Sequence, residues 1–126
     1  EDELAIILVE APGENEALVM GSAPLVDSAP AVWLHPETVG KVIGLGRRAP
    51  GDWTPMERRG FARALGRVAA HEVVHAILGT ARHSSTGLMS RSLAGPALLS
   101  PVLHIDAGTR RAVARAAGAP YRWTMR

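Results

Sequence analysis

His71-Glu72-Val73-Val74-His75 puts two imidazoles four residues apart, with a carboxylate between them. On a helix, residues i and i+4 share a face, so both rings reach one ion. Glu72 lies about 100° around such a helix from His71, where it touches a water on that ion without being a ligand. The chemistry this predicts is metal-assisted hydrolysis, in which the ion acidifies a water and Glu72 accepts its proton as general base. The chain has no cysteine, which excludes disulfides and thiolate metal sites and leaves His, Asp and Glu as ligands. A catalytic zinc takes three protein ligands and keeps a fourth position open. No glutamate follows Glu72, so a downstream third ligand comes from His83, His104 or Asp106. His83 is the nearest: Gly79 lets the chain turn back, and Thr80-Ala81-Arg82 carries His83 to the ion. The expected site is one Zn2+ held by His71, His75 and His83, with Glu72 catalytic and His104 or Asp106 as the alternatives to His83.

These residues need a helix to carry them, and the sequence supplies one. Thr54 is a cap, Pro55 suits the first helical position, and Glu57 completes a capping box. No second proline occurs from Pro55 to Leu78, and Gly79 suits the C-terminal stop. The helix is therefore expected to run about 24 residues, or about 36 Å. Gly60 and Gly66 within it are expected to mark close packing. Upstream, Leu4 to Glu10, Ala17 to Gly21, Ala31 to Leu34 and Val39 to Leu45 read as strands, separated by Pro and Gly. Downstream, a loop through Ser84 to Gly87 and the prolines at 96 and 101 lead to a shorter helix over Thr109 to Ala117. The expected fold is α+β: a small, mostly antiparallel or mixed sheet over residues 4 to about 46, packed on the long HExxH helix, with a loop-rich C-terminal part closed by one helix. One domain over residues 1–126 is expected: about 1–53 sheet, 54–79 helix, and 80–126 the third ligand, a Met-containing turn and the final helix.

The stretch HEVVHAILGTARHSSTGLM, about 19 residues from His71 to Met89, resembles the metzincin clan of zinc peptidases. The resemblance implies that His71, His75 and His83 are ligands, Glu72 the general base, Gly79 the turn glycine and Met89 the Met-turn methionine. It implies an endopeptidase acting on peptide or protein substrates. The usual metzincin spacing is HExxHxxGxxH, whereas here it is HExxHxxxGxxxH. One residue is added on each side of the glycine, so the helix must run longer and the turn must be wider. The short interval from His83 to Met89 is similar to the matrixin-like and archaemetzincin-like branches, and the longer spacing also resembles a group of small bacterial HExxH proteins. The tyrosine that follows the Met-turn in some branches has no counterpart close after Met89. Metzincins bind extended peptides on an edge strand, which the resemblance matches to Ala31 to Val39. A backing helix before the first strand has no room in this chain, so a minimal or trimmed form is expected.

Composition narrows the partners. The net charge is +2, and aromatics are only 4% of the residues. A nucleic-acid surface wants a clustered basic face with stacking aromatics, so no nucleic-acid partner is expected. No apolar run approaches the roughly 18 residues needed to cross a membrane, and the opening Glu1-Asp2-Glu3 is not the basic start of a signal peptide. The remaining polar residues read more simply. His35 is a surface strand histidine, Asp106 stands near the N-cap of the last helix, and Arg110, Arg111 and Arg115 form a solvated face. Ser, Thr and Arg side chains between 82 and 91 border the site without assigned roles. Two readings compete with the peptidase: a zinc-stabilised module that binds peptides or partners without turnover, and a latent enzyme controlled by a further segment.

Overall fold

A computed structural model describes residues 4–10, 19–23 and 31–118. Its elements run β1 (Ala5–Leu8), β2 (Gly21–Ser22), β3 (Ala31–Leu34), α1 (Pro36–Val42), a 3-10 turn (Pro50–Asp52), α2 (Pro55–Leu78), α3 (Gly95–Leu99) and α4 (Ala107–Ala116). This is the expected mixed α+β arrangement around one long helix. The three strands are ordered β1-β3-β2, with β1 parallel and β2 antiparallel to β3.

Val32 and Leu34 alternate onto one face of β3 and bury against Ala64 and Val68 of α2, with Val39, Leu93 and Leu98 completing the cluster. A second cluster of Val74, Leu88 and Met89 lies under the C-terminal half of α2. The helix begins as its sequence demands. Thr54 Oγ1 accepts from the Glu57 N–H at 3.2 Å, and the Thr54 N–H donates to Glu57 Oε2 at 2.8 Å. It ends at Gly79, whose φ of 60° is the left-handed cap and whose N–H returns to the His75 carbonyl. Arg67 donates to the Ala97 and Leu98 carbonyls, both at 2.9 Å, tying α3 to α2.

Four expectations are corrected. The sheet stops at Leu34 instead of continuing to residue 46, because Val39 to Leu45 is not a strand. Pro36 opens a helix there, Glu37 and Lys41 pair at 3.4 Å across one turn, and Val39 faces the core. Residues at i, i+3 and i+4 thus carry the apolar pattern that had read as a strand. Second, Ala31 to Val39 is no edge strand: β3 is paired on both sides and residues 36–42 are helical. Third, the C-terminal part holds two helices, since Pro96 starts α3 instead of interrupting the chain. Fourth, Gly60 is closely packed, 3.2 Å from Leu99 Cδ2 at its missing Cβ, but Gly66 meets nothing within 4 Å. Of the strand expected over Ala17 to Gly21, residues 17 and 18 lie outside the described residues, and only Gly21 pairs as strand β2. No helix among the described residues is long and apolar enough to cross a membrane.

Candidate metal centre

The last two turns of α2 present His71 and His75 on its buried side, at 7% and 6% exposure. The chain then turns at Gly79 and brings His83 back against them. The ring nitrogens of His71, His75 and His83 lie within 4.8 Å of one another. His75 Nε2 is 3.0 Å from His71 Nε2 and 3.2 Å from His83 Nε2. In a tetrahedral site with Zn–N of about 2.0–2.1 Å, neighbouring ligand nitrogens stand about 3.3–3.4 Å apart.

The other ring nitrogens explain the orientation. His71 Nδ1 lies 2.7 Å from the Leu88 carbonyl, and His75 Nδ1 lies 2.7 Å from the Thr80 carbonyl. A carbonyl only accepts, so each Nδ1 carries the hydrogen, and each Nε2 of the neutral ring is left with a bare lone pair. Two lone pairs facing each other at 3.0 Å repel unless a cation lies between them. The donor set therefore fits a metal ion that prefers imidazole, and backbone carbonyls supply the outer hydrogen bonds that fix such ligands.

The electrostatics favour the ligating form. Burial pushes His71 below the ordinary histidine value, against the opposing pull of the Leu88 carbonyl. His83 is also lowered, chiefly by partial desolvation among the rings, then by the positive charges of His75, His71 and Arg91. Both rings thus remain neutral further into the acid range than a free imidazole. Glu72 shares a cavity of about 380 Å³ with the three histidines. Burial raises its carboxyl above the usual range, with His75 pulling the other way, which moves it toward the range useful to a general base.

The alternatives for the third ligand stand elsewhere. The His104 carbonyl accepts from the Leu88 N–H at 2.7 Å, but its ring is not in the histidine cluster. Asp106 caps α4, accepting from the Thr109 N–H at 2.8 Å and from the hydroxyls of Ser84 at 2.6 Å and Thr109 at 2.7 Å. These donors hold its carboxyl down at about 2. Asp106 is therefore both the expected cap and a strap onto the residue after His83. His35 is buried, not a surface residue: it is 8% exposed, its Nδ1 has no described partner, and it stands apart from the cluster. Met89 is buried at 3% and borders a second cavity with His75 and His83.

Gly21 was readable only as part of a strand, yet it sets how β2 meets the site. A Cβ there would lie 2.9 Å from Glu72 Cγ and 3.0 Å from Val68 Cγ1. A glycine in a strand is the available signal for such a close approach. The carbonyls of Thr80 and Leu88 had no signal, because any residue type supplies one.

Comparison with protein-family models, curated proteins and solved structures finds no match to this chain.

Proposed function

We propose that the chain is a zinc-dependent endopeptidase of metzincin-like chemistry. The observation that carries this reading is the convergence of three imidazoles, two of which (His71 and His75) have their outer nitrogens committed to carbonyls, beside a half-buried carboxylate in the same cavity. A zinc ion held by His71, His75 and His83 would supply Lewis acidity to a bound water and a scissile carbonyl. Glu72 accepts a proton from the attacking water as its oxygen bonds to the carbonyl carbon. The same carboxylic acid then returns that proton to the amine nitrogen as the C–N bond breaks. The spacing expansion around Gly79 is compatible with this reading, since the left-handed cap and the Thr80 carbonyl together orient His75. The edge at β2 supports a peptide substrate: Gly21 of β2 and the preceding Val19 and Met20 line the cavity with Glu72, where an extended segment can add its backbone hydrogen bonds. In this reading Met89, buried at 3%, is the methionine of a Met-turn.

The test pairs metal content with turnover. The wild-type protein is expected to retain one zinc and cleave members of a peptide library. Glu72→Gln is expected to keep the zinc and lose about 10²- to 10⁴-fold in rate. A folded protein that takes no zinc from zinc-containing buffer sinks the metal site. Equal behaviour of the two proteins toward peptides favours the non-catalytic binding module.

A further inference from the structure

The charges around the histidines are lopsided. Among the described residues, Glu72 is the only carboxylate lining the 380 Å³ cavity, and Arg91 lines the same cavity. The second cavity, which also borders His75 and His83, is lined by Arg82 and by no carboxylate among the described residues. Other arginines are engaged elsewhere: Arg48 pairs with Glu57, while Arg63 and Arg67 donate to carbonyls at the end of α3. Arg91 has neither an ion pair nor a hydrogen bond with any described residue and is exposed. A guanidinium has five donors in a fixed fork that matches a carboxylate. In a cavity whose lining also includes the apolar Val68, Ala23 and Leu93, it is free to make a charge-assisted pair with something brought in. A cationic side chain entering the same cavity meets both Arg91 and the metal site.

We propose that Arg91 makes this cavity selective for peptides that carry a carboxylate beside the scissile bond. The inference rests on the peptidase reading of the same cavity, and it names the substrate class. The carboxylate has two possible sources, an Asp or Glu side chain or the free C-terminus of the peptide.

Binding separates this inference from catalysis. The probes are octapeptides with blocked ends carrying Glu, Gln or Lys at the central positions, plus a neutral octapeptide with a free C-terminus. They are titrated into zinc-loaded Glu72→Gln protein at low salt. The Glu peptide, the free-carboxylate peptide or both are expected to bind about 5- to 10-fold tighter than the blocked Gln peptide. Which of them does so identifies the source. The Lys peptide is expected to bind weakest, and the preference should fade as salt shortens the screening length. Arg91→Ala should erase the preference and Arg91→Glu should turn it toward Lys. Equal binding of the acidic and neutral peptides overturns the inference, as does a preference that survives Arg91→Ala, or no binding by any probe. Selective binding with no cleavage by protein that retains Glu72 overturns the peptidase reading alone. Cleavage without charge preference overturns this inference alone.

Discussion

The two ends of α2 solve opposite problems. At the N-terminal end, Thr54 and Glu57 exchange hydrogen bonds across one turn, and Arg48 pairs with the Glu57 carboxylate. Every partner there lies within nine residues. At the C-terminal end, His71 is oriented by the carbonyl of Leu88, seventeen residues away. His83 comes from beyond the helix altogether, on a segment strapped by Ser84 to Asp106, twenty-two residues further on. The first end secures the helix with its own sequence. The second cannot form its site until the chain beyond Gly79 has folded back. Stability is thus local where chemistry is absent, and non-local where chemistry is proposed.

The largest expected effect breaks the second end. His75 is the ring that approaches both others, so His75→Ala should weaken zinc binding by more than the roughly 10- to 100-fold seen for outer-sphere changes. Competition with a chromophoric chelator reads this directly. Retained affinity would mean that the three rings do not act as one site. Next is Gly87→Ala. Its φ is 79°, and a Cβ would lie 2.3 Å from the His104 carbonyl oxygen. Strain and clash together should cost about 3 kcal/mol. The loop that aims the Leu88 carbonyl at His71 would shift, so zinc affinity should fall along with Tm. A normal Tm would show that the close approach at Gly87 is unimportant.

The contrast also explains what could be read from the sequence. The capping box, the helix from Pro55 to Leu78 and its stop at Gly79 are all written in contiguous residues, and each appears where expected. The three histidines are legible for the same reason, since two share a helical face and the third follows a short turn. Val39 to Leu45 misled because a run of Val, Ile and Leu suits either period. Pro36 and the Glu37–Lys41 pair decide for the helix. The order of the sheet was illegible, because a strand's neighbours depend on contacts between distant segments. His35 looked exposed because nothing near it in sequence reports that β3 is the central strand.

A smaller effect sharpens the difference. Asp106 binds the Ser84 hydroxyl but no metal, so Asp106→Ala should leave His71 and His75 in place while loosening His83. Zinc affinity should fall about 10-fold, toward the lower end for outer-sphere partners, with the Ser84→Ala variant showing part of the loss. Unchanged affinity in both variants would mean that the turn at Gly79 alone seats His83.

The smallest effect tests the first end. Thr54→Ala removes the acceptor for the Glu57 N–H and should cost about 1 kcal/mol of stability, read as a lower urea midpoint. Glu57 is held at about 2, chiefly by the hydrogen bond from Arg48 and then by the Thr54 N–H. A lowered carboxyl contributes stability that is complete above the ordinary value of 4.5 and is lost as pH falls toward 2. Replacing Glu57 by Gln should therefore flatten the acid side of the stability profile in that window and lower stability by a constant amount above it. Neither change should alter zinc affinity by more than the error of measurement, because no bond at this end reaches the histidines. A zinc affinity that tracked the cap would mean that fraying at Pro55 propagates through the helix to His71. The two ends would then form a single cooperative unit, and the division between a locally secured scaffold and a non-locally assembled site would fail.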